Sequence, residues 1–494
     1  MRGDTQATTI GQLPTHSSAR SQRAAVSTRL VWLLWVASLG VLAVVYSTAA
    51  PVDALGVRVD GLTAVMWTAV TFFSGIVHSY SRRYMAGDAH VDRFFGLVFG
   101  FTIAVMVLVA ADAFALFVLA WLAMGAAMAG LIGHVDGWPQ AQTAARLAGR
   151  YFVASGVLVA AALTTLWWHT GVTSVSAVPN ELAAATPTVI LVAGALLLLA
   201  AMVQSALIPF HTWLLSSMTA PTPASALMHA GFVNAGGILL VRFAPVVSAD
   251  AGLMFVVVAV GAVSAISGKL LKTVQTDVKR ALGCSTIGQM GFMIVQAGLG
   301  FFAAAVAHLV LHGFYKAYQF LSSGDRVEHT SPAADPERTT TGVLDGAVVV
   351  GTAVAGGVVF AVLTGKGTSA DTGLLLTLLV VVTVLHAARE TIARATLSPR
   401  LRYGAVPIVA LPAITVYALV YRAFSALLGG LPAVGEPAAL GTGHVVVALA
   451  FLAAYVAVET GVYRRSTRLY VALVNATQPP TNTQLTTTEE YDAS

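Results

Sequence analysis

The sequence predicts an all-α polytopic membrane protein with about fourteen transmembrane helices. Three observations carry that prediction. Hydrophobic residues make up 57% of the 494-residue chain and charged residues only 10%, against about 25% charged in soluble domains. Mean hydropathy is +0.79. Windows of about 20 apolar residues, enough to cross about 30 Å of hydrocarbon, recur from end to end.

The chain begins with a polar segment, residues 1–28, rich in Thr, Ser, Gln and Arg. It lacks the charged, then apolar, then small-residue order of a signal peptide, so the first span is expected to remain in the mature protein. A membrane domain follows over residues 29–465. Its apolar windows lie at about 30–48, 61–79, 94–110, 114–133, 150–169, 187–208 and 224–246, then about 252–271, 281–300, 301–321, 343–364, 372–393, 404–428 and 441–462. Residues 466–494 form a polar C-terminal tail. From Gln478 its proline-containing, polar composition reads as disordered, because it cannot bury a core. No extramembrane segment is long enough to fold alone.

Basic residues fall in alternate loops. Arg20, Arg23 and Arg29 precede the first span; Arg82, Arg83 and Arg93 follow the second; Arg146 and Arg150 follow the fourth. Lys269, Lys272, Lys279 and Arg280 follow the eighth, and Arg326 and Arg338 the tenth. Arg389, Arg394, Arg400 and Arg402 follow the twelfth, and Arg464, Arg465 and Arg468 the last. The opposite loops hold little beyond Arg58 and Lys366, with Arg242 and Arg422 near span ends. The positive-inside rule then puts both termini in the cytoplasm and the chain in the cell membrane, in contact with the lipid bilayer. The net charge of +5 comes mostly from these loop arginines. It reports topology and not nucleic-acid binding. Cys284 stands alone, which excludes an intramolecular disulfide and a cysteine-built metal cluster.

The chemistry concentrates in His308-Leu-Val-Leu-His312-Gly-Phe-Tyr-Lys316. Residues four apart turn only about 40° from one another on a helix, so two imidazoles and an ammonium form one polar stripe. A charge at bilayer depth costs roughly 2.5–3.5 kcal/mol, and such groups normally mark an ion or proton path. His308 and His312 also have the spacing of a zinc pair. No Cys, Asp or Glu lies nearby to complete a site, so no metal is assigned.

A second polar stretch follows the sixth span: Gln204-Ser-Ala-Leu-Ile-Pro209-Phe-His211-Thr-Trp213, then Ala220-Pro221-Thr-Pro223 and onward to His229. Pro209, Pro221 and Pro223 remove backbone donors and oppose a continuous helix. Broken helix at membrane depth survives only where protein or a water-filled cavity satisfies the freed carbonyls; an ordinary inter-helix loop is the alternative. His229 is placed one turn into the next helix, as a relay residue or a structural one. In Ala281-Leu-Gly-Cys-Ser285-Thr286-Ile-Gly-Gln289-Met-Gly291, the small and polar residues either pack helices closely or line a hydrated passage. Lys279 and Asp277 form either the cytoplasmic mouth of a path or a solvated loop pair. Gly365-Lys366-Gly367 is not a phosphate loop, because Phe360 and Gly367 stand where glycine and a magnesium-holding Ser or Thr belong. No dinucleotide fingerprint, quinone-specific motif or nucleophile elbow is present.

Together, His78-Ser-Tyr80-Ser-Arg-Arg-Tyr84-Met85-Ala-Gly-Asp88, Pro209-Phe-His211-Thr-Trp213, Ala220 to His229 and the Ser285-Thr286…Gln289-Met-Gly291 segment resemble the antiporter-like subunits of respiratory complex I and Mrp antiporters. The His308/His312/Lys316 helix fits the same superfamily. The resemblance runs from about residue 60 to 325, and implies the antiporter-like fold with broken helices. His229-Ala-Gly-Phe-Val-Asn234-Ala-Gly-Gly237 to Pro245, Lys316-Ala-Tyr-Gln-Phe-Leu-Ser-Ser-Gly324 and Arg468-Leu-Tyr470-Val-Ala-Leu-Val-Asn475 are similar to the DabB family, the membrane subunits of DAB inorganic carbon accumulation systems. Two departures stand out. Leu122 occupies the place of the superfamily's glutamate after Trp121, and Gln204 that of the lysine in the first broken helix.

The resemblance implies a subunit that conducts H⁺, or Na⁺, to drive CO₂ hydration or bicarbonate accumulation by a DabA-like cytoplasmic partner. The zinc would lie in that partner, with no cofactor in this chain. His229, His308, His312, Lys316 and Lys279 would be the relay, because imidazole titrates near neutral pH and a desolvated lysine can release its proton. Gln204, Pro209, His211, Pro221 and Pro223 would support the broken helix, as would Trp213. The alternatives are a Mrp-type Na⁺/H⁺ antiporter subunit, a complex I-like proton-pumping subunit, and a membrane anchor for a soluble enzyme. Lys366, His386 and Glu390 are further candidates from the less well matched region 330–460.

Overall fold

The computed structural model describes residues 21–48, 50–326, 343–394, 399–435 and 437–478. Arg20, Arg338, the first twenty residues and the tail beyond Gln478 lie outside them, as do the side chains of Arg326, Glu390, Arg394, Arg400, Arg402 and Arg464.

Helix α1 (Gln22–Thr48) leads into a hairpin of β1 (Val52–Ala54) and β2 (Val57–Val59), paired antiparallel with Asp53 opposite Arg58. Next come α2 (Gly61–Tyr84), α3 (Val91–Ala110), α4 (Phe114–Ile132), α5 (Pro139–Thr170), the short α6 (Val178–Glu181) and α7 (Pro187–Gln204). The middle of the chain holds α8 (Thr212–Ser216), α9 (Thr222–Ala230), α10 (Ala235–Arg242), α11 (Ala244–Ser248), α12 (Ala251–Thr273), α13 (Val278–Gly298) and α14 (Phe302–Leu321). The remainder is α15 (Val343–Thr364), α16 (Gly373–Arg394), α17 (Pro399–Leu427), α18 (Thr442–Thr460), α19 (Val462–Arg465) and α20 (Thr467–Thr477).

Local chemistry sets the helix ends. The side chains of Asp60, Thr186, Asp250 and Asp277 accept from the backbone N–H three residues on, at the starts of α2, α7, α12 and α13. Gly171, at φ +74°, ends α5 in the left-handed conformation that costs glycine least.

Among the described residues, eleven helices are long and apolar enough to cross a membrane, against the fourteen expected. Of the other three expected spans, two fall short on apolar content, and the third is apolar over the shorter stretch described. Helices α13 and α14 carry the polar groups of the central cluster, and α16 offers only a shorter apolar stretch, Gly373–Arg389. The span Thr222–Arg242, made of α9 and α10, is 94% buried in protein, whereas the spans of α17 and α18 are only 11% buried. The broken span is therefore the centre of the bundle. Leu33, Val36, Trp168, Val350 and Val358 point outward, as lipid-facing side chains do.

The helix breaks at Pro209, between α7 and α8, but not at Pro221 and Pro223. Pro209 sits in the turn after α7, Pro221 is the N-cap of α9, and Pro223 is in its first turn. At a helix start a missing N–H costs nothing, so Pro221 and Pro223 begin a helix instead of interrupting one. A second interruption is at Gly231–Asn234, where a 3₁₀ turn separates α9 from α10. His229 accordingly lies in the last turn of α9, not one turn into it. The C-terminal polar segment starts as helix α20, with Leu473 and Thr477 buried.

Backbone packs closely between α12 and α13. A methyl group on Gly268 would lie 2.2 Å from the Gly288 backbone nitrogen, and one on Gly291 2.4 Å from that of Ala265. Here the small residues allow backbone to approach backbone. Gly268→Val is expected to cost about 1–3 kcal/mol by overpacking, read as a lower unfolding temperature in detergent. Gly351, with nothing within 4 Å of an added methyl, is the control, and Gly351→Ala should leave that temperature unchanged. Equal behaviour of the two would refute close α12–α13 packing.

Candidate functional site

The bundle has two ends. Asp60 starts α2, and Arg242, at the end of α10, donates to both its carboxylate oxygens and to Thr63 Oγ1 at 2.7 Å. At the other end Tyr84 finishes α2 and donates to Thr222 Oγ1, at the start of α9, at 3.3 Å. The broken span thus runs antiparallel to α2, from the Tyr84 end to the Asp60 end. Burial alone would raise the Asp60 carboxyl's pKa, but the charge and hydrogen bonds of Arg242, with those of Thr63, hold it below the usual value.

A hydrogen-bonded polar cluster lies between α9, α13 and α14. Lys316 is completely buried, and its Nζ donates to the Leu282 carbonyl at 2.9 Å. Thr286 Oγ1 donates to that same carbonyl at 2.9 Å and meets His229 Nδ1 at 2.9 Å. A hydroxyl has one proton. With that proton on Leu282, His229 carries its own on Nδ1, and the Nε2 lone pair is left over. That Nε2 is buried with no partner among the described residues. The imidazole stacks on Phe320 at 4.3 Å.

On α14, His308 and His312 stack with ring centroids 5.9 Å apart and planes 22° apart. Both nitrogens of His312 and Nε2 of His308 are buried without partners among the described residues. His312 lies within electrostatic range of Lys316, His308 and His229. The structure therefore gathers His229, His308, His312 and Lys316 into one neighbourhood. Among the described residues no three His, Cys, Asp or Glu side chains converge as metal ligands.

Lys279 stands at the Tyr84 end, where its Nζ donates to the Ala220 carbonyl at 3.4 Å, while Asp277 caps α13. It lies one helical turn before Leu282 along α13. The region from Gln204 to Trp213 holds backbone. Trp213 Nε1 donates to the Val203 carbonyl at 2.9 Å, Ser205 Oγ to the Val233 carbonyl at 2.7 Å, and Ser264 Oγ accepts from the Ile208 N–H at 3.2 Å. Gln204 is buried, and its Nε2 has no partner among the described residues. His211 Nε2 is 3.0 Å from the Ala476 carbonyl of α20, which ties the C-terminal helix to the start of α8. Leu122 packs its side chain against Gly156, while Trp121 donates to Ser155 at 3.2 Å.

Sequence reasoning missed a second cluster. Lys269 Nζ on α12 is 2.7 Å from His386 Nε2 on α16, and His386 Nδ1 is 2.7 Å from Glu459 on α18. Arg389 joins the same carboxylate at 2.9 Å. Lys269 read as a loop charge and His386 as a weak candidate. Glu459 gave no signal, because 73 residues separate it from His386. Lys366 instead lies over the ring of Phe301 at 5.3 Å.

Residues 111–341 match the family described as NADH:quinone oxidoreductase/Mrp antiporter, transmembrane. Residues 54–95 match the N-terminus of chain 5 of NADH-ubiquinone oxidoreductase, complex I. The chain is 39% identical over 276 residues to the probable inorganic carbon transporter subunit DabB1 of Halothiobacillus neapolitanus, covering 54% of this chain and 49% of that one. It is 38% identical over 288 residues to the probable DabB of Bacillus subtilis, covering 57% and 56%. Against NADH-quinone oxidoreductase subunit L of Mycobacterium tuberculosis the figures are 37% over 272 residues, 54% and 43%. The chain thus spans about half the length of the curated relatives it matches.

Two solved structures share its fold. One is the Mrp complex of Dietzia sp., with TM-score 0.57 at 23% identity, over 92% of this chain and 51% of that one. The other is an archaeal membrane-bound sulfane sulfur reductase, with TM-score 0.58 at 17% identity, over 92% and 91%. Residues 54–95 and 111–341 thus match models of complex I and Mrp antiporter membrane subunits, and the chain shares its fold with the two solved membrane complexes.

Proposed function

We propose that this chain is the ion-conducting membrane subunit of an energy-coupled inorganic carbon uptake complex. It sits in the cell membrane with both termini in the cytoplasm, and passes H⁺, or Na⁺, inward. A DabA-like cytoplasmic protein uses that flow to drive CO₂ hydration or bicarbonate accumulation, and holds the zinc. The DabB relatives support the carbon substrate. Leu122 and Gln204, neutral where a redox-driven pump would carry its glutamate–lysine pair, weigh against the complex I alternative.

One observation carries the reading: the continuous chain His229–Thr286–Leu282 carbonyl–Lys316. An incoming proton binds the free Nε2 of His229. The Nδ1 proton stays hydrogen-bonded to the Thr286 oxygen and the hydroxyl proton to the Leu282 carbonyl, so the chain holds the His229 and Lys316 charges at a fixed separation and passes no proton through the carbonyl. Lys316 stays anchored on the shared carbonyl, and His312 and His308 extend the path along α14. Like charges in this low-dielectric volume repel, so His229 and Lys316 favour sharing one positive charge at a time.

The direct test is labelled inorganic carbon uptake in cells lacking carbon-concentrating activity, with this chain and a DabA-like protein co-expressed. Uptake is expected to collapse with a protonophore and in the His308→Ala plus His312→Ala chain, with assembly intact. Uptake indifferent to both would reduce this chain to an anchor, and Na⁺-dependent pH recovery without uptake would identify an antiporter. In the same assay Thr286→Val removes the bridging hydroxyl and is expected to cut uptake at least tenfold. Thr286→Ser should restore it. Equal uptake by the valine and serine variants would show that the hydroxyl only packs.

A further inference from the structure

Two cavities lie along α2 and the broken span of α9 and α10. The first, about 250 Å³, opens at the Asp60 end and takes Asp60, Asp112, Ser176, Arg58 and Arg242 into its wall. Asp112 is fixed there by the Ser176 N–H and hydroxyl, both at 2.8 Å. The second, about 20 Å³, lies deeper. Phe73 of α2, Phe101 and Val105 of α3, Met124 of α4 and Leu309 of α14 wall it, and Asn234 brings the one side-chain amide. Helix α2 gives Asp60 and Gly61 to the outer cavity and Met66 to Phe73 to the inner one. The span made by α9 and α10 gives Arg242 to the outer and Asn234 to the inner. Eight helical residues between these two correspond to about 12 Å along the axis.

The inner chamber sits at the helix break. Asn234 Nδ2 donates to the Ala230 carbonyl at 2.7 Å, one of those the break sets free. Its Oδ1 is buried without a hydrogen-bond partner among the described residues. Ala230 and Gly231 complete that wall, and His229 is the next residue in the chain. Across from it, Leu309 precedes His312 by one turn of α14. The order from the Asp60 end is thus charged vestibule, apolar chamber with one amide oxygen, then imidazoles.

We propose that the Asp60-end cavity is the outer vestibule for a small hydrated cation, H₃O⁺ or Na⁺, and that the chamber at Asn234 is its hydrophobic gate. This rests on the ion-conducting reading above. Apolar constrictions close by excluding water and open when they wet. A chamber of this size holds about one water, and the Asn234 oxygen offers it a single side-chain acceptor, so the chamber favours the dry, closed state. A route here reaches His229 without the ionisable pair that Leu122 and Gln204 replace.

The test is potential-driven cation flux in vesicles holding the complex, read with a pH-sensitive and a Na⁺-sensitive dye. Asn234→Leu fills the chamber and is expected to lower flux at least tenfold. Val105→Thr, nearly the same shape but with a hydroxyl facing the chamber, is expected to raise flux several-fold, a gain that misfolding cannot produce. In a Cys284→Ser chain, Ser176→Cys should react with a charged, impermeant thiol reagent added outside, and the reaction should reduce flux. Wild-type conduction with both chamber variants unchanged would overturn the gate and leave the conducting reading standing. Silent wild-type vesicles would overturn both. The dye that responds separates H₃O⁺ from Na⁺.

Discussion

Lys316 places an amine in the interior of a membrane protein, and the surrounding architecture answers that demand. Removing an ammonium from water costs several kcal/mol even after the protein relaxes, unless other groups solvate it. Here the solvating group is the Leu282 carbonyl, early in α13. Thr286 reaches the same oxygen from the next turn and passes the contact to His229 on α9. Three helices must therefore hold a fixed register. The backbone contacts of Gly268, Gly288 and Gly291 set α13 against α12. The small residues of α13 that read as either packing or pathway serve both purposes, with glycines on one face and Thr286 on another.

The break at Gly231–Asn234 is the other half of this arrangement. A span that stops and restarts exposes carbonyls that lipid cannot satisfy. Burying the whole span and letting Asn234 bond the Ala230 carbonyl solves that problem. It also leaves His229 at a helix end, with one nitrogen committed and one free. The Asp60–Arg242 pair fixes one end of the span and the Tyr84–Thr222 bond the other. Any motion at the break is therefore confined between two pinned ends. Away from the bilayer core, Arg93 donates to Asp136 at 2.7 Å and holds that exposed carboxyl's pKa below its usual value.

Much of this was legible in the residues. Hydropathy gave the membrane class, and the i, i+4 spacing of His308, His312 and Lys316 gave the polar face of α14 directly, because helical periodicity is local. Two features were misread. Prolines normally signal interruption, yet at Pro221 and Pro223 they begin a helix. The break within the buried span Thr222–Arg242 is carried by Gly231, whose neighbours look like ordinary span residues. The Lys269–His386–Glu459 contact was invisible, because it joins three helices far apart in sequence. The length of α13 and α14 was visible, but their polar residues hold them below the apolar threshold for a span. That same polarity is what makes them the site.

Electrical recording of charge movement in supported membranes carrying the purified complex, after a sudden pH step, addresses the buried relay most directly. Wild type and Lys316→Arg are to be compared with Lys316→Met, which keeps length and removes the charge. The expected result is a transient inward proton current in wild type, a reduced one in Lys316→Arg and none in Lys316→Met. An undiminished current in Lys316→Met would contradict the role assigned to the His229–Thr286–Leu282–Lys316 chain.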